Sequence, residues 1–290
     1  MVIDATLVRR LIAAQFPRWS HLAVTPVEPG GWDNRTFRLG EGMSVRMPSA
    51  ASYAPQVEKE HRWLPVLAPL LPQPVPLPLA KGQPGEGYPW PWSVYRWLPG
   101  QAASSVDAVD LAVLAEDLAG FLVRLQSADP TGGPPPGSDN FHRGGSLAVY
   151  DDEVGEALAR LRRSVDTAPI RAMWDAALGA AAAGPPVWVH GDVSAGNLLL
   201  AGGRLAGVID FGGLAVGDPA CDLAIAWTLF RKRSRAVFRA GLGLADAAWA
   251  RGRGWALWKA VIVLAELPGT DHRQIPAARN VMTEILNDRR

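Results

Sequence analysis

Two short apolar runs, each delivering a carboxylate to its far end, constrain this chain more than any other feature. Pro185-Pro186-Val187-Trp188-Val189 leads into His190-Gly191-Asp192-Val193-Ser194-Ala195-Gly196-Asn197, and Leu205-Ala206-Gly207-Val208-Ile209 leads into Asp210-Phe211-Gly212. Both runs are of strand length and bounded by Gly or Pro, so each predicts a strand that hands its loop to one end of a small sheet. A bare turn would need neither Asn197 nor a second acid after the next strand. Two carboxylates and a carboxamide in this order are the groups that phosphoryl transfer needs. One carboxylate accepts a hydroxyl proton, and the other oxygens hold Mg²⁺ against a nucleotide's phosphates. On this reading Asp192 is the base, and Asn197 and Asp210 are the metal ligands.

His-x-Asp, four residues and Asn, then a strand ending in Asp-Phe-Gly, resembles the catalytic and metal-binding loops of protein kinases, with Gly191 where Arg is usual. The longer pattern resembles the aminoglycoside phosphotransferase, or choline-kinase-like, family of small-molecule kinases. The family's His-Gly-Asp-Leu-His-Pro-Gly-Asn stands here as His190 to Asn197, with Ser194 and Ala195 in place of His and Pro. Its Gly-Asp-Pro-x-x-Asp-Leu-Ala stands as Gly217 to Ala224.

The resemblance runs from about Pro26 into the C-terminal part. It implies an α+β, bilobal, protein-kinase-like fold: a small antiparallel-sheet lobe with one main helix (residues 1–98) and a larger, mainly helical lobe (99–290). It also implies ATP or GTP as donor, Mg²⁺ as cofactor and a small-molecule hydroxyl as acceptor. Asp222 is implied to brace the catalytic loop; we expect His190 and Asp218, too, to support the site rather than bind the metal.

The N-terminal third reads as strands around one helix. Gly30-Gly31-Trp32-Asp33-Asn34-Arg35 lies between Val24–Val27 and Thr36–Leu39, a strand–loop–strand unit that would lay Gly31 and Asn34 over the phosphates; the same residues are also good hairpin chemistry. Met43–Met47 is the strand that presents a cation to the phosphates, here Arg46 rather than Lys, and the two are not interchangeable. Over 54–71 a helical period puts Val57, Glu60, Leu64, Leu67 and Leu71 on one face, so Glu60 points inward as the partner of Arg46. The alternative is a surface pair of Glu60 with Arg62 or His61. Interleaved prolines over 72–78 suit an edge strand. Trp92–Trp97 enters the hinge, where the base would meet backbone at Arg96, Trp97 and Leu98.

The chain's 29 basic and 28 acidic residues leave a net charge of +1, without the basic face of a nucleic-acid binder. One cysteine, Cys221, excludes an internal disulfide and a cysteine-based zinc cluster. Met1–Asp4 lacks a basic leader region, and Lys259 and Glu266 interrupt the most apolar late run, Trp255–Leu267, so we expect no membrane span and a cytoplasmic protein.

Val106–Gln126 carries a helical pattern. Asp151, Asp152, Glu153 and Glu156 open another helix to Arg163, and we take them as first-turn acids favoured by the helix dipole rather than as a wall for an amine. Residues 211–290 hold twelve basic and seven acidic side chains, so a weakly charged or partly apolar acceptor is expected to outperform polycationic aminoglycosides. Trp255 and Trp258, with Ile262, read as a core stripe rather than an acceptor platform; Trp249 is a further candidate for such a platform. A metabolic or macrolide-type kinase is the nearest alternative. A pseudokinase-like nucleotide-binding protein is the alternative of another class, raised by Arg46 and the missing glycine fingerprint. No feature fixes the acceptor or an oligomeric state.

Overall fold

The computed structural model describes residues 2–28, 30, 31, 33–182 and 184–288; Trp32, in the loop expected over the phosphates, and Arg289 and Arg290, among the late basic residues, lie outside them. Helix α1 (Ala5–Gln15) starts at Asp4, whose Oδ1 accepts the Leu7 N–H at 2.8 Å. This caps one of the four donors that a helix start leaves unpaired. Five antiparallel strands follow around one helix: β1 (Val24–Pro26), β2 (Asn34–Leu39), β3 (Met43–Pro48), α2 (Pro55–Leu67), β4 (Pro78–Gly82) and β5 (Trp92–Arg96), in the sheet order β1-β2-β3-β5-β4. Gly40, at φ +58°, turns β2 into β3. Leu7, Val8, Leu11 and Ile12 of α1 pack with Phe37, Leu39, Val45, Met47, Trp92 and Val94 in one apolar core.

Helix α2 faces the other way. Its buried Leu64 and Leu67 belong to the larger core of the helical part, while its Gln56 and Glu60 are buried polar groups near the sheet. It ends at Leu67, short of the 71 expected from periodicity. Pro69 has no N–H with which to continue the ladder, and Pro72 holds Leu71 extended at ψ 141°.

The remainder is mainly helical. After the two-residue strand β6 (Gln101–Ala102) come α3 (Leu111–Gln126), α4 (Asp151–Leu161), α5 (Ala168–Gly179), then β7 (Val187–Val189), β8 (Leu198–Ala201), β9 (Arg204–Val208) and β10 (Ala215–Gly217). The chain closes with the one-turn α6 (Ile225–Thr228), α7 (Lys232–Leu242), α8 (Asp246–Leu264) and α9 (Ile275–Asn287). Helix α3 begins five residues after Val106, because Asp110 caps it by accepting the Ala112 and Val113 N–H groups. Helix α8 is largely buried, packed against α4, α5 and α9, with Lys259 exposed on one side. Strands β7 and β10 pair antiparallel in one sheet and β8 and β9 in another, and the loops after β7 and β9 meet through the contact of Gly191 with Gly213. Both sequence-predicted strands are therefore present. No described helix is long and apolar enough to cross a membrane.

Candidate active site

The two loops are fastened to each other before any ligand is considered. The buried ring of His190 takes the Asp192 N–H at Nδ1 (3.2 Å) and gives its own Nε2–H to the Ile209 carbonyl at 3.0 Å. One neutral tautomer satisfies both bonds. Gly191, at φ +83°, lies so close to the second loop that a Cβ would fall 2.2 Å from the Gly213 carbonyl oxygen. That contact and the left-handed backbone together explain glycine where kinases carry arginine.

Asp222, fully buried, accepts the His190 and Gly191 N–H groups at 2.8 Å each. Burial raises its carboxyl above the ordinary value, and His190 and the two backbone donors offset part of that. Asp218 sits one step further out. It caps the 3₁₀ turn Pro219–Ala224 through the Ala220 N–H and receives a two-pronged ion pair from Arg251 at 2.6 and 2.9 Å.

Asn197 donates from Nδ2 to the Asp192 carbonyl and to its Oδ2, both at 2.9 Å, which turns its own Oδ1 to another partner. Asp210 stands in the left-handed region at φ +66°, a conformation a non-glycine residue keeps only where its surroundings enforce it. Arg46 is what holds it: one guanidinium nitrogen reaches Asp210 Oδ1 at 2.7 Å and the other Glu60 Oε1 at 3.1 Å. Tyr95 donates a hydrogen bond to the second oxygen of Glu60. Burial pushes the Asp210 carboxyl up, but Arg46 outweighs it and holds the group below the usual carboxylate range.

The inward Glu60 expected from helical periodicity is thus the partner of Arg46. On the same face of α2, Lys59 donates to the Gly212 carbonyl at 2.5 Å and Gln56 to Asp33 Oδ2 at 3.2 Å. Burial lowers the Lys59 ammonium to about 8.

The loop before β2 differs in detail from expectation. Gly31 is exposed, with its carbonyl taken by Arg35, and Asn34 is buried as the first residue of β2. The side chain of this loop that faces the cleft is Asp33. Burial pushes its carboxyl above the ordinary value, restrained by the Gln56 bond, and Asp210 and Asp192 push it further. At the hinge, the Arg96 and Trp97 N–H groups go to the carbonyls of Leu77 and Gly42 at 2.9 Å. Leu98 keeps its N–H outside any backbone bond among the described residues.

A cleft of about 660 Å³ opens beside these groups. Six acids line it, Asp33, Glu153, Glu156, Asp192, Asp210 and Asp271, against two bases, Arg143 and Lys259. Of the described basic residues counted over 211–290, Lys259 alone lines it. Arg231 and Arg235 pair with Glu284, Arg239 with Asp246, Arg251 with Asp218 and Arg273 with Asp271. Charges tallied along a sequence cancel locally, so the tally does not predict the wall. The acids opening α4 serve twice: they occupy its first turn, and Glu153 and Glu156 face the cleft.

Trp255 and Ile262 are core residues, as the helical stripe predicted, and Trp249, a candidate for an acceptor platform, is buried in the same core instead. Trp258 is buried too but shows an edge to the cleft, stacked 3.9 Å from Tyr150 and donating to Glu153 at 2.8 Å. Sequence reasoning missed Asp33, Tyr53, Phe141, Arg143, Tyr150 and Lys259 as cleft residues. Only Asp33, inside a loop already singled out, carried a local signal.

Oxygen donors fit a magnesium ion. Asp210 and the outward Oδ1 of Asn197 give two hard ligands, and Mg²⁺ takes its remaining ligands from phosphates and water rather than from an all-protein cage.

Solved structures resemble this arrangement over nearly the whole chain. The GDP and kanamycin complex of APH(2″)-IIia superposes with a TM-score of 0.75 at 20% identity, covering 97% of this chain and 99% of the other. The streptomycin–ATP complex of APH(2″)-IIa gives 0.62 at 20% identity over 99% and 97%. The macrolide 2′-phosphotransferase MphH from Brachybacterium faecium gives 0.63 at 21% over 96% and 97%. These likenesses establish the bilobal, kinase-like fold. No curated protein sequence matches the chain. Residues 24–255 match the phosphotransferase enzyme family (APH), and since that span includes β1–β5, α2 and both loops of the site, the chain belongs to this family of phosphotransferases.

Proposed function

We propose that the protein transfers the γ-phosphoryl group of ATP or GTP to a hydroxyl of an amine-bearing small molecule, in the cytoplasm where both donors are plentiful. The observation that carries this reading is the convergence, on one cleft, of Asp192 tied to Asn197 and of Asp210 tied through Arg46 to Glu60. Residues 1–98 serve the nucleotide and residues 99–290 carry the catalytic loops and the acceptor wall. Asp192 accepts the acceptor's hydroxyl proton as the oxygen attacks, and Asn197 keeps that carboxylate oriented. Arg46, held by Glu60, turns from Asp210 towards the donor's phosphates. Asn197 and Asp210 would hold Mg²⁺, which would supply neutralisation of the phosphate charge. The base meets the hinge at Leu98, flanked by Arg96 and Trp97. His190, Asp222 and Asp218 hold the loops.

The acidic lining supports an acceptor with at least one ammonium group, received by Glu153 and Glu156 beside the Trp258–Tyr150 stack. The neighbours' acceptors supply a test. Transfer of labelled γ-phosphate from ATP and from GTP is measured with kanamycin, streptomycin, a macrolide and simple neutral alcohols. We expect amine-bearing acceptors to lead. Asp192→Asn should cut turnover by roughly 10²-fold or more while nucleotide affinity stays as it was. Near-wild-type turnover in that variant would remove Asp192 from the role of base, and nucleotide binding without transfer to any acceptor would favour the pseudokinase-like alternative.

A further inference from the structure

We propose that Arg143 and Lys259 form a two-cation receptor for the phosphoryl group in transit, an assignment that rests on the phosphotransferase reading above. Arg143 is set by a built loop. The buried Asn140 accepts the Gly137 N–H at 2.9 Å and donates to the Pro135 carbonyl at 3.0 Å, and Phe141 and His142 follow in consecutive left-handed conformations at φ +54° and +52°. Arg143 N–H then returns to the Asn140 carbonyl, and the Gly144 carbonyl accepts the Asp218 N–H at 2.7 Å. The result places the Arg143 side chain against the residue before Asp192, since a Cβ on Gly191 would lie 3.0 Å from Arg143 Cβ. Its guanidinium rests 5.2 Å from the ring centres of both Trp255 and Trp258.

Lys259 follows Trp258 on α8 and lines the same cleft. Burial within the cleft walls and repulsion from Arg143 lower its ammonium's pKa, while Asp192, Glu153 and Asp33 attract it. The amine therefore lies in the field of both the base and the loop that covers the donor. Among the described residues neither side chain makes an ion pair or hydrogen bond, whereas Arg46, Arg235 and Arg251 are all paired. Two neighbouring cations left open inside a cleft repel each other and stabilise an anion placed between them. An acidic acceptor is disfavoured by Glu153 and Glu156, which line the same wall. The anion that must pass Asp192 is the phosphoryl group. The acceptor oxygen forms the new O–P bond, the bond to the oxygen bridging to the β-phosphate breaks with its electron pair leaving on the nucleoside diphosphate, and the hydroxyl proton goes to Asp192.

The test adds aluminium fluoride, a stand-in for the planar phosphoryl, to protein with Mg²⁺ and GDP or ADP, and reads the melting temperature. Wild type should gain stability from the diphosphate and a further increment from the fluoride. Lys259→Gln and Arg143→Gln should keep the first gain and lose the increment, and should slow nucleotide hydrolysis, with water as acceptor, by roughly 10²-fold; Lys259→Arg should recover most of both. If Arg143→Gln melts early, Lys259→Gln decides, because that side chain lines the open cleft and makes no ion pair or hydrogen bond among the described residues. An unchanged increment and unchanged hydrolysis overturn the proposal. So does a loss confined to carboxylate-bearing acceptors, which would make this pair a subsite for an acidic substituent. A wild type that gains nothing from either nucleotide fells the phosphotransferase reading, and this assignment with it.

Discussion

The donor half and the acceptor half of the cleft treat charge in opposite ways. On the donor side Arg46 is shared between Glu60 and Asp210, Tyr95 completes Glu60, and Lys59 and Gln56 are bonded to Gly212 and Asp33. On the acceptor side, among the described residues, the Arg143 and Lys259 side chains make no ion pair or hydrogen bond, and Glu153 accepts the Trp258 indole N–H. A network closed on itself holds its shape without ligand, which suits the half proposed to receive the nucleotide. Charges left open acquire their partners from the substrate, so the acceptor half gains selectivity from what enters it.

The contrast breaks first on stability. Arg46→Met leaves Glu60 buried without its cation and should cost about 3 kcal/mol in urea unfolding, whereas Lys259→Gln, which removes no bond, should stay within about 0.5 kcal/mol. Equal losses would show that the acceptor half is as tightly wired as the donor half.

A smaller effect sharpens the acceptor side. Glu153→Gln removes charge but keeps an acceptor for the Trp258 N–H, and it should lower kcat/KM for amine-bearing acceptors about tenfold, the worth of one partly solvated ion pair. The KM for nucleotide should not move. A matching rise in nucleotide KM would mean that the halves are not separable.

The smallest effect lies in the pH dependence of the donor half. Lys59 has its folded pKa lowered from 10.5 to about 8, so between those values the unfolded chain binds a proton that the folded one does not. Linkage makes the Lys59 contribution to stability rise with pH from about 8 to about 10.5. Urea midpoints at pH 7.5 and 9.5, wild type against Lys59→Met, should therefore shift in favour of wild type at the higher pH; a constant difference would show that Lys59 is ordinarily solvated.

The same division explains what could be read from the chain. The meeting of Asp192, Asn197 and Asp210 was legible because their spacing within two strand-bounded loops is what a base and oxygen ligands for phosphoryl transfer require. Glu60 was legible because helical period alone turns it inward. Asp33, Arg143 and Lys259 meet only through tertiary packing of the β1–β2 loop, the segment before α4, and α8, and no spacing links them. The basic count over 211–290 misled because Arg231, Arg235, Arg239, Arg251 and Arg273 are taken up by nearby acids. Gly191 could be read as a departure from the kinase pattern, but its reason, a neighbouring carbonyl with no room for a side chain, exists only in three dimensions.

Helix α2 has a mechanical consequence. Through Gln56, Lys59 and Glu60 a single rigid rod grips the loop before β2, the Asp-Phe-Gly-Gly segment and β3. Three grips on one body leave it no private motion: any tilt of α2 displaces all three together, so the donor site assembles or comes apart as one unit rather than contact by contact.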